Sequence, residues 1–422
     1  MKHRLVITIM AALLAGSGAR TQLLPALPGV QLPQLPRDLL EHPVRTATGL
    51  ADRTAATALE QTRRQRIAAF LHQNRATVTS DDRGFPAVRG EVLIASPAPD
   101  DIARLVQRGF AVIDDRTIGG LGLRTVRLAT PDGVDLKKAL RLARHIAGDR
   151  ISADNLHFRS GEVLAAGSVT ASLALNRGAA VPPVRIGMID GGVAATPLIP
   201  ARVTQHGFAS GAPAPDPHGT AVASLLIGEG KVRGADPGAH LFAADVYGHD
   251  PAGGGALAIA RALGWMIDNR VKVVTISLVG PENALLARAV ELAEGKGLTI
   301  VAAVGNDGPA APPAYPASYP GVLAITGVDR HERVLVEAGH ALHVDYAAPG
   351  ADMLAAMPRS GTAPVRGTSF AAPLVAGRLA ALMAVHGNAR QALDREAIDL
   401  GPKGPDKTYG RGLVCGDCAS RP

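Results

Sequence analysis

Residues 271–305 read VKVVTISLVGPENALLARAVELAEGKGLTIVAAVG. Two runs rich in Val, Ile and Ala, 271–279 and 299–305, flank the proline-free stretch 282–297, which is rich in helix formers. Continuous apolar strands are buried on both faces, and the helix between them is the crossover that parallel neighbours require. The alternation extends in both directions. Upstream, VRIGMID (184–190) reads as strand, HGTAVASLLIG (218–228) as helix, HLFAADVYG (240–248) as strand and GALAIARALGWMIDNR (255–270) as helix. Downstream come the strand VLAITGV (322–328) and the long apolar helix GTSFAAPLVAGRLAALMAV (367–385). The expected fold class is α/β, a doubly wound, mostly parallel sheet with helices on both faces. Ligands bind such sheets beyond the carboxyl ends of the strands, so reactive side chains should directly follow strands.

The 422 residues are 47% apolar, 3% aromatic and 19% charged, which excludes both general disorder and a single small module. The net charge of +7 resides in the front of the chain: residues 1–180 hold 24 Lys or Arg against 16 Asp or Glu, and the remainder 20 against 21. The sheet domain thus lacks the basic excess of a nucleic-acid-binding face. Cys415 and Cys418 are the only cysteines, so no disulfide scaffold is expected. Their C-x-x-C spacing reads as a tail disulfide or two free thiols, with half a metal site or a redox pair as the functional alternative.

Residues 1–19 carry Lys2 and Arg4, an apolar run over 5–14 and then small residues up to Ala19, the order of a secretory signal peptide. It predicts a secreted protein, periplasmic or extracellular. The run is shorter than the roughly 20 residues needed to cross a bilayer, and no membrane span is expected elsewhere. Residues 20–49 form a Pro/Leu-rich linker, and 50–85 a helical segment with its helix over 50–74, where Arg63, Arg64 and Arg66 make a solvated face rather than a membrane-binding one. Residues 86–158 follow the order strand, helix, strand, strand, helix, strand of a small α+β ferredoxin-like domain. A Gly/Ala/Ser-rich junction covers 159–180, the sheet domain 181–414 and a short tail 415–422.

Four residues stand where the sheet should present its chemistry. Asp190 ends the first strand, His218 opens a helix after Pro215-Asp216-Pro217, Ser369 opens the long helix, and Asn306 follows the strand 299–305. A serine hydroxyl becomes a nucleophile only beside a base, and the base needs an anion to fix its tautomer and stabilise its protonated form. Asp, His, Ser is one of the chain orders in which that set occurs. Helix N–H groups at Ser369 and the Asn306 amide can both donate to a developing oxyanion.

With IDGGV, HGTAVAS, GADPGAHLFAADV, ISLVG, AAVGN, YPASYPGVLAITGVD, YAAPGADM, GTSFAAPLVAG and YGRGLV in order, residues 181–414 resemble the catalytic domain of the subtilases, the subtilisin-like serine endopeptidases. The resemblance implies that Ser369 attacks a peptide carbonyl, His218 acts as general base and then acid, and Asp190 orients the imidazole. Asn306 and the Ser369 N–H would form the oxyanion hole. Substrate, a protein or peptide, would pair with Ser277, Leu278, Val279 and Gly280, and its side-chain pocket would be walled by these residues, Ala302 to Gly305 and Ala314 to Ala317 with Tyr315. With no charge among them, an apolar preference is expected. Residues 87–158 resemble, less specifically, the propeptide domains that precede subtilases. That implies a zymogen whose N-terminal domain inhibits its own catalytic domain and is cut off somewhere between Arg159 and Val181; a permanently attached domain is the alternative. The enzyme is expected to be a monomer with no cofactor and no bound metal. The loop after the His218 helix offers only Glu229 where relatives bind calcium, and Asp307, Asp329 and Asp345 read as solvated loop carboxylates.

Two departures stand out. Gly191 follows the Asp where the family has Thr or Ser, so a hydrogen bond to the carboxylate is expected to be missing, and Val279 stands in place of Gly. They favour one alternative, a weak or inactive relative that binds peptides. A dinucleotide enzyme is disfavoured because Gly253 to Gly255 lack the G-x-G-x-x-G spacing, and a metallohydrolase because His340 and His343 lack an H-E-x-x-H set.

Overall fold

The computed structural model describes residues 45–163, 183–418 and 420. The expected signal peptide, most of the linker and residues 164–180 lie outside that range. The main sheet has seven strands in the order Tyr346–Pro349, Leu323–Val328, Thr299–Ala303, Val273–Ile276, Arg185–Asp190, His240–Asp245, Val203–Gly207, and every neighbouring pair is parallel. The expected doubly wound α/β class is found. Both edge strands went unread in the sequence: Val203–Gly207 is polar and largely exposed, and Tyr346–Pro349 is short and ends in proline.

Two apolar layers sandwich the sheet. Helices Pro217–Ile227 and Thr368–Met383 cover one face with Val222, Leu225, Phe370, Leu374 and Val375. Helices Ala256–Asp268 and Ala284–Gly295 cover the other with Leu263, Met266 and Leu286. Side chains alternate along a strand, so Arg185–Asp190 sends Ile186 and Met188 into the first layer and Ile189 into the second. Asp190 shares the parity of Ile186 and Met188. It therefore points toward the helices that begin at Pro217 and Thr368.

Ahead of the sheet, strands Pro86–Ala95, Ala111–Ile118, Leu123–Ala129 and Ile151–Asn155 form an antiparallel sheet, to which Val78–Ser80 adds a short hairpin strand. The first of the four strands is flanked by the third and the fourth, the ferredoxin-like order. Helices Asp101–Gln107 and Leu136–Ala147 close one face over Val92, Ile94, Val126 and Leu128. The other face donates Leu93 and Leu123, and the adjoining loop Leu121, to the second layer of the seven-stranded sheet, so the two domains share a core. Loop 119–122 approaches the helix Ala256–Asp268 so closely that a Cβ on Gly120 would lie 2.3 Å from the Gly264 carbonyl.

Docking also supplies the missing cap of one helix and engages the cap residue of another. Gly255 cannot cap Ala256–Asp268 with a side chain, and Asp154 does so from the ferredoxin-like domain, accepting from Leu257 N at 3.0 Å. Asn283 caps the next helix through Leu286 N and donates its amide to Ala153 O at 2.8 Å and Asn155 Oδ1 at 3.0 Å. Buried amides with every bond made specify one docked register.

The N-terminal helix spans Arg45–Gln73, five residues earlier than the expected start and into the expected linker. Its arginines are not all solvated. Arg64 is exposed and so is Arg66, which pairs with Asp307 of the sheet domain, but Arg63 is only 14% exposed and lies 2.6 Å from Glu60. Phe70 packs edge-on against Phe158 at 5.1 Å between ring centroids. Within the expected junction, Arg159 and Glu162–Val163 belong to two short strands, Phe158–Arg159 and Glu162–Val163, that pair with the sheet domain. Cys415 and Cys418 are joined as a disulfide. Among the described residues no helix is long and apolar enough to cross a membrane.

Burial pushes the Asp154 carboxyl up to about 6, against the pull of the Leu257 N–H. The folded chain therefore holds a proton there that the unfolded chain, with a carboxyl near 4, has lost. This contribution to stability is complete below pH 4 and lost as pH rises through 6. Asp154→Asn keeps the acceptor and does not titrate. Urea unfolding of the uncut chain, with Ser369→Ala in both proteins, should show the form with Asp154 losing up to about 3 kcal/mol relative to Asp154→Asn between pH 4 and 7. Parallel pH profiles would refute this.

Candidate active site

Asp190, His218 and Ser369 form one hydrogen-bonded chain. His218 Nδ1 lies 2.9 and 3.0 Å from the two Asp190 carboxylate oxygens, and Nε2 lies 3.0 Å from Ser369 Oγ. With Nδ1–H donating to the carboxylate, Nε2 is left as the acceptor for the serine hydroxyl. Asp190 and Ser369 are fully buried and His218 nearly so. Helix Pro217–Ile227 places His218 in its first turn, with Pro217 pre-set for that position and Asp216 accepting from Gly219 N at 2.9 Å. The loop after Asp190 is held by Gln205, which bonds both backbone groups of Val193 at 2.8 Å, and by Thr220 Oγ1, which accepts from Ala194 N.

The hydrogen bond expected to be missing at Gly191 is supplied by its backbone, whose N–H donates to Asp190 Oδ1 at 2.7 Å. A side chain at 191 has no room: its Cβ would lie 2.7 Å from Asp216 Cβ and Cγ.

Asn306 Oδ1 accepts from Thr368 N at 2.9 Å, which leaves its Nδ2 buried and without a partner. A buried orphan donor is costly, and its persistence beside a reactive hydroxyl fits a group aimed at charge that develops only during reaction. Gly367, at φ +136°, is needed here, since a Cβ would come within 2.4 Å of that nitrogen. Thr368 Oγ1, unnoticed in the sequence, accepts from Gly305 N and donates to Gly305 O, tying the helix start to the strand end.

The cleft is occupied by the chain itself. Phe158–Arg159 pairs antiparallel with Leu278–Val279; on the other side His157 N donates to Gly254 O at 2.8 Å and Leu156 bridges Gly255. Ser160 N donates to Ser277 O at 3.3 Å, and the Ser160 carbonyl accepts from Ser369 N at 3.2 Å. Gly161 follows at φ +151°, so close that a Cβ there would sit 2.1 Å from Ser369 Oγ. Glu162–Val163 then pairs with Val365 and Arg366. Residues 156–163 thus cross the reactive hydroxyl as an extended strand with the Ser160–Gly161 peptide over it.

The other expected binding residues surround this strand. Ser277 Oγ donates to Ser369 O at 2.8 Å; Val279 packs on Gly305; Gly280 and Tyr315 exchange backbone hydrogen bonds; and Ala314 is buried beside them. Leu278 and Ala302 are wholly buried in the second apolar layer. Three loop carboxylates read as solvated carry arginine partners instead: Asp307 with Arg66, Asp329 with Arg333, and Asp345 with Arg390 and Arg411. Among the described residues no group of three His, Cys, Asp or Glu side chains is disposed to hold a metal ion.

The profile of the subtilase family (Peptidase_S8) matches residues 202–412, beginning after Asp190 and including His218, Asn306 and Ser369. Subtilisin BL of Lederbergia lenta is 33% identical over 266 residues, covering 60% of this chain and 96% of its own. Alkaline protease of Shouchella clausii is 32% identical, covering 60% of this chain and 68% of its own. Fervidolysin from Fervidobacterium pennivorans, described as a keratinolytic enzyme related to subtilisin, shares the fold at a TM-score of 0.63 and 19% identity, over 78% of this chain and 60% of its own. The chain belongs to the subtilase family, as a subtilisin-like serine endopeptidase.

Proposed function

We propose that the chain is the precursor of a secreted endopeptidase in which Ser369 is the nucleophile, His218 the general base and acid, and Asp190 the group that orients and stabilises the imidazole. The carrying observation is the buried chain of hydrogen bonds from Asp190 through His218 to Ser369. In the reaction, Ser369 Oγ bonds to the peptide carbonyl carbon as its proton passes to His218 Nε2. The resulting oxyanion takes hydrogen bonds from Ser369 N–H and Asn306 Nδ2. Collapse breaks the C–N bond, the imidazolium protonates the departing amine, and water then hydrolyses the ester with His218 again as base.

The first substrate is the chain itself, at the Ser160–Gly161 bond. Support comes from the Ser160 carbonyl on Ser369 N and from strand pairing on both sides of residues 156–160. Until that bond is cut and the product leaves, the N-terminal domain acts as an intramolecular inhibitor, held by the shared core, the Asp154 cap and the bonds of the Asn283 amide to Ala153 and Asn155. The charged, apolar and small-residue order of 1–19 supports export, and one chain supplies every group of the site, which suits a monomer. The uncharged wall of Ser277, Val279, Gly280, Gly305 and Ala314 suits a small or apolar residue before the scissile bond, and Ser160 is small. With Gly191 N–H on Asp190, the argument for an inactive peptide-binding relative loses its main support.

Expression of the full chain should give a product whose amino-terminal sequence begins Gly161-Glu162, while Ser369→Ala remains uncut. Processing of Ser369→Ala at the same bond and rate would contradict self-cleavage. Asn306→Ala should lower kcat on peptides about a hundred- to a thousandfold with a small change in KM, a scale taken from subtilisin itself. A loss below about threefold would remove Asn306 from the oxyanion hole.

A further inference from the structure

Arg159, the second residue before the Ser160–Gly161 bond, is held more elaborately than its neighbours. Its guanidinium lies 3.9 Å from the centre of the Tyr247 ring, its Nη2 2.9 Å from Asp216 Oδ2, and its Nε 4.0 Å from Asp190. The other polar group of Tyr247, its hydroxyl, donates to the His157 carbonyl at 2.7 Å, which fixes the ring against the bound strand. A third carboxylate, Asp245, lies behind, already committed to Tyr247 N, Gly248 N and Ala214 N. Two acidic side chains, Asp190 and Asp216, therefore face one place in the cleft, and within the described contacts Arg159 is the cation that reaches both. Its side chain is one-third exposed, so a guanidinium from another chain can enter by the same route.

The departure at Gly191 belongs to the same arrangement. A Cβ there would collide with Asp216 Cβ, Cγ and Oδ1 at 2.7 to 2.8 Å. Loss of the usual hydroxyl residue after Asp190 thus makes the space in which Asp216 stands. Asp216 also caps the helix of His218 through Oδ1, leaving Oδ2 for the cation. A planar guanidinium can stack on a ring while donating in its own plane to a carboxylate, which an ammonium does less well. Burial raises the Asp216 carboxyl, and Arg159 opposes that rise.

We propose that Asp216 and Tyr247 form a guanidinium subsite, so that the enzyme selects protein substrates with arginine two residues before the scissile bond. The proposal rests on the endopeptidase reading above and adds its specificity.

The test uses the full chain after it has processed itself, and internally quenched peptides of residues 156–163 with Arg, Lys, Ala or Glu at the position of Arg159. Wild type should favour Arg over Ala by about thirtyfold or more in kcat/KM, with Lys between them and Glu poorest. Asn retains the helix cap, so Asp216→Asn should reduce the Arg-to-Ala ratio to about threefold or less. A ratio near one in wild type, or one undiminished in Asp216→Asn, overturns the subsite while leaving the endopeptidase reading intact. Should Asp216→Asn not fold, Tyr247→Leu decides the matter: the ratio should fall about fivefold, and an unchanged ratio overturns the proposal. If no peptide is cut, the endopeptidase reading and the subsite fail together.

Discussion

The hydrogen bond between His218 Nε2 and Ser369 Oγ requires the first turns of two helices to bring side chains 151 positions apart in sequence to within 3.0 Å of each other. Neither helix sets that distance alone. Both lie on one face of the parallel sheet, packed through Leu225, Phe370 and Val375 into a common core. Because interiors are close-packed, the spacing of their first turns is fixed by side chains several residues away. Asp190 reaches the same point because strand alternation sends it to that face. The proposed catalytic set is thus a consequence of sheet geometry before it is a matter of loops.

The ferredoxin-like domain acts on that geometry from outside. It covers the opposite helical layer, caps one helix through Asp154, accepts from the Asn283 amide at the start of a second and feeds residues 156–163 across the Ser369 hydroxyl. Parallel sheets have high contact order and form slowly. A compact antiparallel partner that closes helix ends and apolar surface gives the slow sheet something already formed to build upon. The same contacts place the Ser160–Gly161 peptide over Ser369, so in the proposed reading assistance in folding and inhibition arise from one interface.

The central strands and their helices were legible because each is buried on both faces and writes an unbroken Val/Ile/Ala run, as in TIVAAVG. Val203–Gly207 was not legible, because an edge strand facing solvent carries polar residues that resemble a loop. Asp190, His218, Asn306 and Ser369 could be read because each follows a strand or opens a helix, where the sheet presents its chemistry. Asp216 could be read only as part of a turn, and Tyr247 only as the end of a strand. Their meeting with Arg159 depends on contacts across 57 and 88 positions of sequence, which no local pattern records. Of the first helix's arginines, Arg64 and Arg66 are exposed as the sequence suggested, but the ion pair of Arg66 with Asp307, 241 residues away, leaves no local pattern. Gly191 read as a defect because the residue that fills its space, Asp216, comes from another loop.

The claim that Ser369 is an activated nucleophile is tested most directly by mass mapping of the self-processed protein after treatment with a fluorophosphonate. The account predicts a single stoichiometric adduct on Ser369 that disappears in His218→Ala. A folded, processed protein that stays unlabelled, or that carries the adduct on another residue, would contradict it.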